Sequence, residues 1–281
     1  RRLDAGAEII MFERGQHVSF SNCALPYYLS GVVGNSDALV MMSPEKFKKS
    51  YDIDARVNSE VMAINRDKKT IEIKNTLTGD IHEEAYDVLV MAPGASPVKP
   101  RSTVGMDGKN VYTVRNVADI VHLKDGLEAA GAENTAVIGG GFIGIEVAEN
   151  LAKAGKKVTV VEAMSQILAP FDYDMVHKEL LDNGVSLIVD DGVKTIEEKQ
   201  ITLASGKTVP ADAVILAIGV APETGLAKAA GLEIGETGGI LVDHNYRTSD
   251  KNIYAVGDAI EVFDRMTGKP SRLGLAGPAL R

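Results

Sequence analysis

The sequence predicts an α/β protein built from two Rossmann-like units, each of three layers (ββα), and three observations predict it. A glycine-rich turn joins an apolar strand to an amphipathic helix in TAVIGGGFIGIEVAENLAKAG. Apolar runs and turns of the first third of the chain recur, in the same order, in the second. A further apolar run, NIYAVGD, ends in Gly257 and Asp258.

The glycine turn is the clearest of the three. Ala136 to Ile138 read as a strand, Gly139, Gly141 and Gly144 as a turn entering a helix, and KKVTVVEA as a second strand ending at Glu162. After the glycines, Ile143, Val147, Leu151 and Ala154 recur at helical spacing, which gives the helix one apolar face. The first glycine permits the tight turn, the second lets backbone approach a pyrophosphate, and the third allows close packing of helix on strand. The helix N-terminus adds free N–H groups and a positive dipole end for the phosphate. Glu162 lies 23 residues beyond Gly139, the spacing at which an acidic side chain accepts hydrogen bonds from an adenosine ribose, and this favours NADH over NADPH.

The first third repeats these parts. AEIIMFERG ends in Glu13 as KKVTVVEA ends in Glu162, and Val57, Val61 and Ile64 are placed as Val189, Val193 and Ile196. KKTIEIKNTLTG parallels KQITLASG, and YDVLVMAPG, ending in Pro93 and Gly94, parallels ADAVILAIG. The latter pair are short apolar runs suited to strands buried on both faces. Counting back from Glu13 puts the first copy's glycine turn ahead of Arg1, so the chain is expected to lack its first strand and to be part of a longer protein. In NIYAVGD, Asp258 places a carboxylate at a strand's C-terminal edge, where open α/β sheets bind ligands. The expected organisation is a first nucleotide domain at 1–116 and 245–281, with a second inserted at 117–244.

Composition agrees with a globular chain of 281 residues, 45% apolar and 25% charged. No apolar run approaches the roughly 20 residues of a membrane span. The opening RRLDAGAEIIMFERG lacks the apolar region of a signal peptide, so a cytoplasmic location is expected. A net charge of -9 argues against a general nucleic-acid surface. Local basic clusters occur at Arg1 and Arg2 and at Lys46, Lys48 and Lys49. His82 and His122 show no metal-ligand spacing, and no metal site is expected.

SFSNCALPYYLSG holds Cys23, the single cysteine of the chain. Together with FERG, YDVLVMAPGASP, VYTVRN, VIGGGFIGIEVAENL, NIYAVGD and LAGPA, it resembles the flavin-dependent pyridine nucleotide-disulfide oxidoreductases, in their single-cysteine branch. That branch contains coenzyme A-disulfide reductase, rhodanese-linked persulfide reductases, and NADH oxidase and peroxidase; the cysteine segment looks most like the first. The resemblance implies FAD across the first copy, with Glu13 on the adenosine ribose and Arg14 beside it. Val61 would touch the adenine through its backbone, Pro93 and Gly94 would lie in the strand-end loop, Arg115 near the cofactor, and Asp258 on the ribityl chain. It implies NAD(P)H on Gly139, Gly141, Gly144 and Glu162, and coenzyme A held by Arg2, Ser19 and Asn22 around Cys23. Relatives carry a C-terminal domain that forms a homodimer, in some cases followed by a rhodanese domain. A lysine that some relatives use for coenzyme A corresponds to Tyr51, so Lys48 or Lys49 would substitute.

One thiol beside a flavin cannot store oxidation as an internal disulfide. It must form a mixed disulfide, a persulfide or a sulfenic acid. These match three substrates: coenzyme A disulfide, sulfane sulfur, and peroxide or oxygen. The expected activity is NAD(P)H-dependent reduction of coenzyme A disulfide through FAD and Cys23, its thiolate favoured by a helix N-terminus and nearby cations. Persulfide reduction and NADH oxidation are the enzymatic alternatives, and a nucleotide-binding module without stable flavin is the non-enzymatic one.

Overall fold

The computed structural model describes residues 3–100, 102–169, 171–272 and 274. The chain packs into two compact units. Among the described residues, one contains those up to Ser19, Met42–Ser96 and those from Ala221 onward; the other contains Phe20–Met41 and those of 97–220. The second unit thus includes the cysteine segment, because Leu25, Leu29 and Leu39 are buried in the same core cluster as its helices.

A five-stranded parallel sheet forms the centre of the second unit. Side by side lie Val111–Thr113, Ala213–Leu216, Asn134–Ile138, Lys157–Val161 and Ser186–Ile188. These segments are rich in Val and Ile, which suit a pleated surface covered on both faces. Alternation along the strands divides the core in two. Val137, Val160 and Ile215 join Val117, Ile120, Leu123, Val147, Leu151 and Leu180 of the helices Val117–Ala129, Phe142–Lys153 and Tyr173–Asp182. Ala136, Ile138, Val161, Val214 and Leu216 face the other way. They pack with Ile196, Ile201, Leu203 and Val209 of an antiparallel three-stranded sheet, Val193–Ile196, Gln200–Leu203 and Thr208–Pro210. These are the three expected layers. Leu123 and Leu151 are fully buried, so truncating either to alanine costs about 2–5 kcal/mol.

In the first unit, Ile10–Phe12 pairs in parallel with Asp54–Arg56, and Leu89–Met91 in parallel with Ile253–Ala255. A three-stranded antiparallel sheet, Ser59–Asn65, Thr70–Asn75 and Ile81–Ala85, corresponds to that of the second unit. The repeat extends to backbone detail. Each meander shifts register at the same place, between Val61 and Ala63 in one and between Val193 and Thr195 in the other. Each is preceded by a residue in the left-handed region, Asn58 at φ 52° and Asp190 at φ 56°. Asn and Asp tolerate that conformation better than other non-glycine residues.

Asp212 fastens the start of the central strand. Its carboxylate accepts hydrogen bonds from the backbone N–H groups of Asn134 (2.9 Å) and Glu133 (3.0 Å), with Lys199 Nζ at 3.3 Å. The backbone bond from Asn134 is the largest cause holding the carboxyl down at about 2, well below the usual aspartate value. A depressed folded-state pKa contributes stability above the unfolded value, and that contribution is lost as pH falls toward 2. Asp212→Ala is expected to lower unfolding free energy by about 1–2 kcal/mol near neutrality and to match the parent near pH 2. Urea titrations at several pH values check this.

Candidate functional site

The glycine turn of the second unit shows why Gly139 and Gly144 are required. Gly139 has φ 103°, and a side chain there would collide with the Ala217 carbonyl; one at Gly144 would collide with the carbonyl of Gly139. Gly141, the N-cap of the helix Phe142–Lys153, makes no side-chain cap, and nothing stands within 4 Å of where its side chain would be. Gly141 therefore leaves room at the start of that helix, as an approaching phosphate requires. Glu162 braces the turn, with Oε2 accepting from Gly140 N at 2.7 Å and Oε1 from Met164 N at 2.8 Å.

A third restraint comes from the loop after Glu162. Ile167 is fully buried, and its side chain occupies the space that a side chain at Gly140 would need. Leu168 N donates to Gly140 O at 2.9 Å, and Leu168 itself lies in the left-handed region at φ 44°. The loop is held from below by His177, whose Nε2 accepts a hydrogen bond from Ile167 N at 3.4 Å while its ring stacks on Tyr173 at 4.0 Å between centroids.

Cys23 also belongs to the second unit. It is exposed, in the middle of a three-residue 3-10 turn, Asn22–Ala24, and is followed by a second such turn, Pro26–Tyr28. The residue sits on a short turn and not at the start of an α-helix, because Pro26 begins a new turn three residues on. Asn22 is exposed beside the thiol, and Ser19 lies in the strand Ser19–Phe20, paired with Val40–Met42. Arg2 lies outside the described residues. Arg115 is in the second unit, where its N–H donates to Asp119 Oδ2 at 3.0 Å; burial pushes the Asp119 carboxyl up against that bond.

The first unit brings Pro93, Gly94 and Asp258 together. The paired strands Leu89–Met91 and Ile253–Ala255 run in parallel with Met91 opposite Ala255, so the residues that follow leave from the same carboxyl edge. Gly94 and Gly257 both take positive φ, 71° and 76°, space around Gly257 is open, and the Asp258 side chain is exposed. Glu13 ends the other parallel pair and accepts from Gly15 N at 2.7 Å. Arg14 lies 3.9 Å from the carboxylates of both Glu60 and Glu223. Val61 is half-buried at the register shift, across from Ile73. Lys48, at the end of the helix Pro44–Tyr51, pairs with Asp52 at 2.6 Å.

The model of the pyridine nucleotide-disulphide oxidoreductases matches residues 1–277. The chain belongs to that family. The whole of it aligns with coenzyme A disulfide reductase of Staphylococcus epidermidis at 31% identity, spanning 64% of that protein's length. Among solved structures it resembles Bacillus anthracis CoADR-RHD (45% identity, TM-score 0.95, 99% of this chain and 51% of that one). It also resembles an NAD-dependent persulfide reductase from A. fulgidus (36%, 0.94, 99% and 53%). A water-forming NADPH oxidase, engineered by five substitutions from the Lactobacillus brevis NADH oxidase and bound to NADPH, is similar over 98% of this chain and 62% of its own (29%, 0.89).

Pyridine nucleotide-disulphide oxidoreductases depend on FAD and NAD(P). The strand-end edge of the first unit fits such a group: it offers two left-handed glycines, open space and an outward carboxylate. Several residues around the glycine turn are invisible to motif reading. Gly140 is the middle of three adjacent glycines, and its close approach to Ile167 has no fixed spacing. His177 lies ten positions from the amide that it receives. Asn150 carries the one available signal, a polar residue three positions after Val147 on an otherwise apolar stripe, and it is fully buried. His177→Phe leaves the Ile167 N–H without an acceptor and is expected to lower stability by about 1–3 kcal/mol, with His177→Gln recovering most of it. Chemical denaturation of the three proteins checks this.

Proposed function

We propose that the protein passes electrons from NADH by way of FAD to Cys23 and thereby reduces coenzyme A disulfide. The observation that carries this reading is Cys23 itself: the one thiol of the chain, exposed, on the turn that SFSNCALPYY builds. With no second cysteine, its oxidation state is carried on a bond to another molecule. FAD, when bound, takes up a hydride equivalent from NADH and supplies the electron pair that the sulfur chemistry consumes.

The chain's own residues perform the rest. The Cys23 thiolate attacks one sulfur of coenzyme A disulfide; the substrate S–S bond breaks, a new Cys23–S–S–CoA bond forms, and one coenzyme A thiolate leaves and takes up a proton. Two electrons then cleave the mixed disulfide, restore the Cys23 thiolate and release the second coenzyme A thiolate, which takes up the second proton. In sum, NADH, one proton and the disulfide give NAD⁺ and two thiols. Asn22 and Ser19 are assigned to coenzyme A around the sulfur, and Arg2 together with Lys48 or Lys49 to the substrate's phosphates. Glu13, Arg14, Val61, Pro93, Gly94, Arg115 and Asp258 are assigned to FAD, and Gly139, Gly141, Gly144 and Glu162 to the dinucleotide. A homodimer of the full-length protein in the cytoplasm, with a C-terminal rhodanese domain where one is present, belongs to the same proposal.

NADH is the preferred donor. The five substitutions of the engineered NADPH oxidase replace a glycine, an aspartate 18 residues later, the alanine and methionine after it, and a proline five further on, with arginine introduced twice. The same interval here runs from Gly144 to Glu162, followed by Ala163 and Met164, with Ala169 at the last position. This chain keeps the acid and has neither arginine, so a 2′-phosphate would meet a carboxylate. Likeness to the A. fulgidus persulfide reductase supports a second reading, in which Cys23 accepts sulfane sulfur from a coenzyme A persulfide.

Anaerobic NADH and NADPH consumption by the full-length protein, measured with coenzyme A disulfide, coenzyme A persulfide and peroxide, tests the assignment. NADH with the disulfide is expected to be fastest. Cys23→Ser is expected to lose disulfide turnover by about 10³-fold or more while flavin bleaching by NADH persists. Undiminished disulfide reduction in that variant would remove Cys23 from the mechanism, and faster persulfide turnover would select the second reading.

A further inference from the structure

The cysteine segment and the glycine-turn helix are joined by polar groups that neither the motif nor the mechanism above uses. Ser30 Oγ donates to Asn150 Oδ1 at 2.6 Å, and Asn150 Nδ2 donates to Glu146 O at 2.8 Å, one turn earlier on the same helix. Asn150 is fully buried, so both of its polar groups must be satisfied inside the protein, and these two bonds satisfy them. The Ser30 hydroxyl also lies 3.2 Å from Tyr27 O, which places it against the end of the turn Pro26–Tyr28. Next to this tie, the Tyr27 phenol faces Glu146, whose charge and hydrogen bond push the phenol's pKa up and keep it a donor. On the other side, Lys124 Nζ donates to Tyr28 O at 3.1 Å and sits 4.1 Å above the Tyr28 ring.

Apolar packing alone would not fix this segment. Leu25 and Leu29 set how deeply it sits in the core, but contacts between aliphatic side chains are non-directional and leave rotation and sliding cheap. A short hydrogen bond to a buried amide is directional, and its acceptor cannot turn to water if the donor moves. Cys23 precedes Ser30 by seven residues, and all eight from Asn22 to Leu29 lie in or cap two consecutive 3-10 turns, so displacement at Ser30 is carried to the thiol.

We propose that Ser30 and Asn150 are positioning residues for Cys23: the buried hydrogen bond between them fixes the cysteine turn to the helix that opens at the dinucleotide's glycine turn. This rests on the reading of Cys23 as the redox thiol. Neither residue touches substrate or cofactor in this role; each acts through the place that it gives the sulfur.

The test uses the full-length flavin-loaded protein and the variants Ser30→Ala, Ser30→Thr, Asn150→Ala and the Ser30→Ala/Asn150→Ala double variant. Two measurements are made. Hydrogen exchange of the amides at 24–33 reads the tie itself, independently of which substrate is physiological, with the central strand Asn134–Ile138 as internal control. Stopped-flow kinetics read two steps apart: flavin reduction by NADH, and reoxidation of the reduced enzyme by coenzyme A disulfide.

Ser30→Ala and Asn150→Ala are expected to speed exchange at 24–33 without changing it at 134–138. They should slow the disulfide step by about 10-fold or more, since a displacement near 1 Å can cost up to about 10²-fold, while NADH reduces flavin within about two-fold of the parent rate. Ser30→Thr, which keeps the hydroxyl, should recover both readouts, and the double variant should be no worse than the worse single one. Should Asn150→Ala fail to fold, Ser30→Ala and Ser30→Thr carry the comparison. Unchanged exchange at 24–33 in Ser30→Ala overturns the tie. Faster exchange with both kinetic steps slowed equally, or with the disulfide step unaffected, overturns the positioning role. If the parent protein itself does not react with coenzyme A disulfide, the functional reading fails, and the exchange data alone decide whether the tie exists.

Discussion

The glycine-turn helix rests on its sheet through bare backbone. At Gly144 no side chain separates the helix from the carbonyl of Gly139, and at Gly139 a left-handed turn brings the chain against Ala217, just past the neighbouring strand. Any side chain at these points would lift the helix by the width of a methyl group, and interiors packed at crystal density cannot absorb that without opening voids. The same approach sets the depth of Val147 and Leu151 in the core, the direction of the first helical amides, and the height at which Asn150 meets the cysteine segment. The glycine turn and the cysteine segment share one support.

That shared support explains an otherwise odd division of the chain. Residues 20–41 precede the first meander in sequence, yet they pack with the second unit, because Leu25, Leu29 and Leu39 are buried in its helical core. A segment held mainly by three leucines would have depth but no direction. Ser30 and the carbonyl of Tyr28 add directional bonds to Asn150 and Lys124, both on helices of the same unit. Small exposed ion pairs elsewhere, such as Lys48 with Asp52, contribute little by comparison.

Much of the fold was legible because the repeat is written in residue types with local physical meaning. Asn58 and Asp190 occupy matching left-handed positions, Gly94 and Gly219 end matching strands, and both meanders shift register at the matching valine. The jobs of Gly139, Gly141 and Gly144 followed from spacing, since tight turn, open approach and close packing are each set within a few residues. Long-range polar contacts were not legible. Ser30 lies 120 positions from Asn150, and nothing in either neighbourhood names the other. His177 likewise looks like an ordinary helix residue until the fold places it under Ile167. The turn at Cys23 is set locally, since Pro26 begins a second 3-10 turn two residues after the first one ends.

The account stands on Cys23 holding, one at a time, a bond to half of its substrate. Intact-mass measurement of the full-length protein, before and after incubation with coenzyme A disulfide and again after anaerobic NADH, reads this without relying on turnover. The account requires a single added coenzyme A per chain, located on the peptide that contains Cys23 and removed by NADH. An unmodified mass, or an adduct that NADH leaves in place, would contradict it.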